Sequence, residues 1–155
     1  MALSEYKTAL VTGASSGVGA ACVRALRAKG IDVIGLARRK DLLEALADET
    51  GCRTMSLDLM ETDAIYAELP GLGADILVNN AGLGRGYEGF LKSSAAEIDQ
   101  MVDLNVSAAL HVTRALSEGM AERKSGHVVQ IGSIAALYPI GFPVYGATKG
   151  AVHLF

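Results

Sequence analysis

The chain has 155 residues, half of them hydrophobic and 18 of them glycine, which is enough for one buried core and too little for two domains. Its formal net charge of −3 and pI near 5.6 supply no long-range attraction for nucleic acid or an anionic membrane, so neither is expected as a partner. The N-terminal stretch Met1-Ala-Leu-Ser-Glu-Tyr-Lys7 lacks a signal-peptide pattern and no later apolar run approaches a membrane span, so a cytoplasmic location is expected.

Short apolar runs alternate with amphipathic helical patterns, the arrangement of a parallel sheet covered by helices on both faces. The first strand is expected at Thr8–Thr12, followed by a Gly-rich turn at 13–17. The helix after it places Val18, Ala21, Cys22, Ala25 and Leu26 at i, i+3, i+4, i+7 and i+8, and Gly30 ends it. The second strand is Asp32–Ala37, and a helix near 41–50 stops at Gly51. Cys52 precedes the third strand, Arg53–Leu57. With no CxxC and no His cluster beside Cys22 or Cys52, both read as reduced thiols and no metal site is expected. A short helix near 62–69 is closed by Pro70 and Gly71. The fourth strand, Ile76–Asn79, gives way to a loop at 82–89. A capping box, Ser94-Ala-Ala-Glu97, opens the longest helix, whose pattern runs to about Arg123 before Gly126. The fifth strand, His127–Ile131, ends at Gly132 and Ser133, and a last helix opens at Pro143.

Thr12-Gly-Ala-Ser-Ser-Gly-Val-Gly19 lies between a predicted strand and a predicted helix, the context in which a Gly-rich stretch means dinucleotide binding. Gly13, Gly17 and Gly19 allow the tight turn, the approach of backbone to a pyrophosphate and the packing of helix on strand. The exposed N–H groups of this turn, which carries Ser15, Ser16 and Val18, and the dipole of the helix start are placed to hold the anion. Strand two ends in Gly35-Leu-Ala-Arg-Arg-Lys40, with no carboxylate for a ribose 2′-hydroxyl, so NADP is expected rather than NAD. Arg38 or Arg39 can pair with a 2′-phosphate and Ser15 can add a hydroxyl; the alternative is a solvated cationic turn. Asp58, before Leu59, either caps the next helix or accepts from an adenine amino group. Asn79-Asn80-Ala81-Gly82 sets two amides where backbone must approach the cofactor, although buried Asn can also satisfy loop backbone.

Pro143-Val-Tyr-Gly-Ala-Thr-Lys149 places Tyr145 and Lys149 four residues apart, on one face of a helix. An ammonium about 4 Å from the phenol, at an effective dielectric of about 20, favours phenolate by about 4 kcal/mol, or about 3 pKa units from a reference of about 10. Tyr145 would then titrate near neutrality, where a general acid/base is most useful. The dipole of a helix opening at Pro143 pushes the same way. Alone, YxxxK is as readily a surface tyrosine beside a solvated lysine.

Together, TGASSGVG at 12–19, NNAG at 79–82, Asn105 in Asp103-Leu-Asn-Val106, Ser133 after the fifth strand and YGATK at 145–149 resemble the short-chain dehydrogenases/reductases of single-domain type, over the whole chain. The resemblance implies a Rossmann-like α/β fold, a doubly wound parallel sheet in three αβα layers with strand order 3-2-1-4-5-6-7. It implies hydride transfer between NADP and a carbonyl or alcohol substrate. On this likeness Tyr145 is general acid in reduction and base in oxidation, and Lys149 lowers the Tyr145 pKa and holds the nicotinamide ribose. Ser133 donates to the substrate oxygen as charge develops, and Asn105 helps anchor Lys149 through a water. The cofactor is implied to lie along Gly13, Ser15, Ser16, Gly17, Val18, Gly19, Arg38, Arg39, Asp58, Leu59, Asn80, Ala81, Gly82, Tyr145 and Lys149. Read on their own, Ser133 is equally a turn cap and Asn105 a helical polar residue meeting water or backbone.

Family members continue past the catalytic lysine with two more strands and a mobile segment, so the 155 residues are expected to be the N-terminal part of a single domain with an open edge beside strand five. A noncatalytic dinucleotide-binding module or subunit is the alternative. The likeness implies homodimers or homotetramers paired through the helices at 94–124 and after Pro143. Asn79–Gly86 and Val144–Lys149 look like the 3-hydroxy acid (serine) dehydrogenase branch, and Arg85 is either a ligand for a substrate carboxylate or a solvated loop residue.

Overall fold

The structure, a computed structural model, describes residues 3–86, 88–138 and 141–155. Tyr87, within the expected loop at 82–89, lies outside the described residues, as do Met1 and Ala2 of the N-terminal stretch. Five strands, β1 (Thr8–Thr12), β2 (Asp32–Ala37), β3 (Arg53–Ser56), β4 (Ile76–Asn79) and β5 (His127–Gln130), form one parallel sheet in the order β3-β2-β1-β4-β5. The chain winds outward from β1 in both directions, so the strand order reverses between β1 and β4. At such a switch point the connections diverge and leave a crevice at the carboxyl ends of the strands.

Side chains alternate across the pleat and build two cores. Ala9, Val11 and Val33 face one side with Val23 of α1 (Gly17–Arg27) and Leu43 and Leu46 of α2 (Lys40–Thr50). Leu10, Ile34, Leu36 and Leu77 face the other with Ile65 of α3 (Thr62–Glu68) and with Ala108, Val112 and Leu116 of α5 (Ala108–Glu122). Burial on both faces is why β1 and β2 read as continuous apolar runs instead of alternating ones. Leu10, Leu36 and Leu77 have no exposed surface. Gly51 ends α2 in the left-handed conformation at φ 67°, as its place after the last periodic residue predicts.

Two boundaries and one helix differ from expectation. Leu57 and Ile131 fall just outside their strands, though each still donates its N–H across the sheet, to Ala37 and Asn79. The expected long helix is interrupted: α4 (Ala95–Val102) passes into a π-helical stretch at Asp103–Ser107 before α5 begins. The wider turn rotates Asn105 into the interior, where it is 1% exposed. An apolar spacing of three or four residues fits a continuous helix and a widened one alike, so the pattern alone could not show the interruption. The sixth helix, α6 (Pro143–Leu154), begins with proline in its first turn, where the missing N–H costs no bond. β5 lies at the sheet edge with Val128 37% exposed. Among the described residues no helix is long and apolar enough to cross a membrane.

Candidate functional site

A cleft of 380 Å³ opens at the carboxyl ends of β1, β2 and β4, over the Gly-rich turn. Gly13 (φ 65°) and Gly17 (φ 55°) take left-handed backbone there. Gly19 answers to a different need, since a Cβ on it would lie 2.3 Å from the Gly13 carbonyl oxygen; only glycine lets α1 dock on the turn. Ser16 occupies the N-cap position of α1 yet makes no side-chain cap bond, so the first N–H groups of the helix stay available to an anion. Gly17 and Gly19 shape the turn from behind, while Gly13, Ser15, Ser16 and Val18 line the cleft.

The Ser16 hydroxyl is engaged elsewhere. Arg39 Nη2 donates to Ser15 Oγ at 2.9 Å and to Ser16 Oγ at 2.7 Å, and Nε donates to Ser15 Oγ at 3.2 Å, which draws the end of β2 onto the Gly-rich turn. Arg38 turns the other way, its Nη1 3.5 Å from Asp58 Oδ2. Asp58 also accepts from the Met60 N–H at 3.1 Å through Oδ1, so the turn-capping role is present while Asp58 and Leu59 line the cleft. Lys40 pairs with Glu44 on α2 at 3.7 Å and leaves Arg38 and Arg39 as the two cations on the cleft wall.

The two amides after β4 separate. Asn79 is buried and faces α5, donating to the Ala109 carbonyl at 2.8 Å and to Thr113 Oγ1 at 3.1 Å. Asn80 faces the turn, donating to the carbonyls of Thr12 at 3.0 Å and Gly13 at 3.3 Å. Sequence reasoning overlooked Thr12, whose hydroxyl accepts from the N–H groups of Asn80 at 3.0 Å and Ala81 at 2.9 Å and donates to Asn79 Oδ1 at 3.4 Å. A hydroxyl residue closing a buried strand just before the glycines was the available signal. It ties the crossover between β1 and β4 shut where the crevice needs a firm floor.

A second cleft of 450 Å³ shares Val18, Asn80 and Gly82 with the first and continues to Arg85, Ile131, Gly132, Phe142, Tyr145 and Lys149. Tyr145 and Lys149 rise from adjacent turns of α6, with the ammonium 6.0 Å from the centre of the phenol ring, within cation–π range. The ammonium donates at 2.8 Å to the Ile131 carbonyl beyond the end of β5. The phenol's neighbour is thus tied to the end of the sheet. Lys149 is 6% exposed, and its burial lowers its pKa below the ordinary 10.5, because a desolvated ammonium loses hydration that one carbonyl only partly replaces.

Asn105 and Lys149 share no direct hydrogen bond. Its Oδ1 accepts from the Leu83 N–H at 2.8 Å, and its Nδ2 donates to the Leu83 carbonyl at 2.8 Å and to Thr148 Oγ1 at 3.0 Å. It thereby pins the loop after Gly82 to the residue preceding Lys149. Ser133 N-caps the short turn at Ile134–Ala136, accepting from the Ala135 N–H at 3.2 Å; that use leaves the hydroxyl proton free. At this point of the chain the second cleft is walled by Gly132, one residue before Ser133.

A phosphorylated dinucleotide fits these residues: guanidinium groups and serine hydroxyls at one end, an uncapped helix start in the middle, and Tyr145 with Lys149 at the other. A family model described as short chain dehydrogenase matches residues 7–155. The chain is 42% identical over 154 residues to the NADP-dependent 3-hydroxy acid dehydrogenase YdfG of Escherichia coli (strain K12), covering 94% of this chain and 62% of that protein. It is 38% identical over 154 residues to the uncharacterized short-chain type dehydrogenase/reductase y4eK of Sinorhizobium fredii, covering 99% and 62%. Among solved structures, serine dehydrogenase from Escherichia coli superposes with a TM-score of 0.91 at 40% identity, over 96% of this chain and 72% of that one. The closed form of serine dehydrogenase complexed with NADP+ superposes with a TM-score of 0.91 at 40% identity, over 96% and 63%. The chain therefore spans about 62% of the length of these curated relatives.

Proposed function

The chain belongs to the short-chain dehydrogenase family, and from that premise we propose that the protein is an NADP-dependent oxidoreductase that moves a hydride between the cofactor and a carbonyl or alcohol carbon, with a 3-hydroxy acid as its substrate. The observation that carries this reading is the continuity of the two clefts through Val18, Asn80 and Gly82, which sets the Arg39–Ser15–Ser16 cluster and the Tyr145–Lys149 pair along one crevice. Within it, the 155 residues belong to one dinucleotide-binding domain, and copies pair as a homodimer or homotetramer.

When bound, the nicotinamide supplies the centre that accepts or donates the hydride. Arg39, with Ser15 and Ser16 as its partners, is placed for the 2′-phosphate, and the open N–H groups of α1 for the pyrophosphate. Asp58 and Leu59 border the adenine end. In the oxidative direction the substrate C–H leaves as hydride and the O–H proton passes to the Tyr145 oxygen as the carbonyl forms; reduction returns both. The Lys149 ammonium stands beside the Tyr145 ring and is oriented by the Ile131 carbonyl. Ser133, one residue beyond Gly132 of the cleft wall, donates its hydroxyl proton to the substrate oxygen as charge grows there. Asn105 acts as a positioning residue through Leu83 and Thr148.

The test is turnover by the intact protein of 3-hydroxy acids with NADP+. Tyr145→Phe is expected to lower kcat by about 10²–10⁴-fold, the usual worth of a positioned acid/base, while the Kd for NADPH stays within about twofold. Full activity in that variant would remove the assignment, and tight NADPH binding without any turnover by the wild type would leave a noncatalytic binding module.

A further inference from the structure

Among the described residues the second cleft is lined by two charged side chains, Arg85 and Lys149, and by no carboxylate. Their situations differ. Lys149 is buried and committed to the Ile131 carbonyl. Arg85 is exposed, and among the described residues its guanidinium has no ion-pair partner. Glu97 feels the charge of Arg85 but is spent on the capping box, its Oε2 accepting from the Ser94 N–H at 3.0 Å and the Ser94 hydroxyl at 3.1 Å. Beside Tyr145 and the Asn80 amide, the remaining lining, Val18, Leu83, Ile131 and Phe142 with three glycines, is apolar or small. The cleft thus combines a guanidinium that has no ion-pair contact among the described residues with a proton-transfer pair, Tyr145 and Lys149.

The backbone beneath Arg85 is fixed. Leu83 is clamped in both directions by Asn105 at 2.8 Å, and the Arg85 N–H is held against Met101 Sδ at 3.3 Å. Gly86 then turns the chain at φ 73°, where a Cβ would lie 2.4 Å from Ser93 Oγ. The base of the side chain is therefore positioned at the cleft wall, and its planar five-donor head makes no ion pair among the described residues, chemistry suited to bidentate pairing with a carboxylate.

We propose that Arg85 is the carboxylate-binding residue of the substrate cleft, selecting small hydroxy acids whose acid group sits on its guanidinium while the hydroxyl faces Tyr145. This inference rests on the oxidoreductase reading and adds to it the residue that chooses acids over neutral alcohols. A guanidinium free of ion-pair contacts among the described residues strengthens binding of the acid without changing the proton or hydride transfer, so its effect belongs in KM.

The experiment compares 3-hydroxybutanoate with its methyl ester, in the intact protein with NADP+, for wild type, Arg85→Leu and Arg85→Lys. The wild type is expected to prefer the acid by at least about tenfold in kcat/KM, and Arg85→Leu to lose that preference through KM, as expected on removing one charge-assisted contact. Activity of Arg85→Leu on the ester and its Kd for NADPH should stay within about twofold of wild type, and Arg85→Lys should retain part of the preference because it keeps the charge without the fork. An equal fall on acid and ester in Arg85→Leu, an unchanged preference for the acid, or a wild type that favours the ester would overturn the inference while leaving the oxidoreductase reading intact. A wild type that turns over neither compound overturns that reading, and this inference with it.

Discussion

Asn105 and Leu83 are joined by a reciprocal pair of hydrogen bonds, amide oxygen from backbone N–H and amide nitrogen to backbone carbonyl, both at 2.8 Å. The interior of a widened helix thus holds the loop that follows β4, and a third bond at 3.0 Å to Thr148 carries the restraint to α6.

Replacing Asn105 by Ala strands the Leu83 N–H and carbonyl in a partly buried place, where each unsatisfied group costs about 1–3 kcal/mol. Asn105→Ala is expected to lose about 2–4 kcal/mol of stability in urea unfolding, and to lower kcat more than it weakens NADPH binding. A stability change below about 0.5 kcal/mol would show that the three bonds are dispensable.

The two arginines after β2 should separate in their effects. Arg39 contacts Ser15 and Ser16, whereas Arg38 is paired to Asp58. Arg39→Ala is therefore expected to weaken NADPH by about tenfold to a hundredfold and leave NADH nearly unchanged, because the lost contact is charge-assisted. Arg38→Ala should cost several-fold less, its ion pair being exposed and worth little. Equal losses in the two variants, measured as Kd ratios for the two cofactors, would contradict the division.

Glycine substitutions in the turn should rank by space and not by φ. Gly19→Ala drives a methyl onto the Gly13 carbonyl and the Asn80 amide, 2.3 and 2.6 Å away, and is expected to cost about 3 kcal/mol or more with loss of NADPH binding. Gly17→Ala meets no atom within 4 Å and should cost only about 1–2 kcal/mol for its left-handed backbone. Thermal unfolding of the two variants with and without NADPH decides the order.

Lys149 sets a pH dependence whose sign follows from its burial. Its folded pKa lies below the ordinary 10.5, so between the two values the unfolded chain binds more protons than the folded one and stability rises with pH. Below that window the full cost of burying the ammonium is present. Lys149→Met should remove this contribution: its melting temperature is expected to match or exceed that of wild type at about pH 7, with a flatter profile toward about pH 10, while turnover is lost. Parallel profiles for the two proteins would show that burial of the ammonium carries no such cost.

Much of this could be read along the chain because the causes are local. The apolar runs at 8–12 and 32–37, the glycines that close α1 and α2, both arms of the Ser94–Glu97 capping box and the shared helical face of Tyr145 and Lys149 each depend on a few consecutive residues and their backbone preferences. What needed the folded molecule depends on partners far apart in sequence: Thr12 on Asn80 across 68 residues, Lys149 on the Ile131 carbonyl, Asn105 between Leu83 and Thr148. Which arginine meets the serines, which asparagine faces the cleft, and where the long helix widens follow from strand register and from the competition of several donors for the same acceptors. Those terms are settled only when β2, β1, β4 and β5 lie side by side.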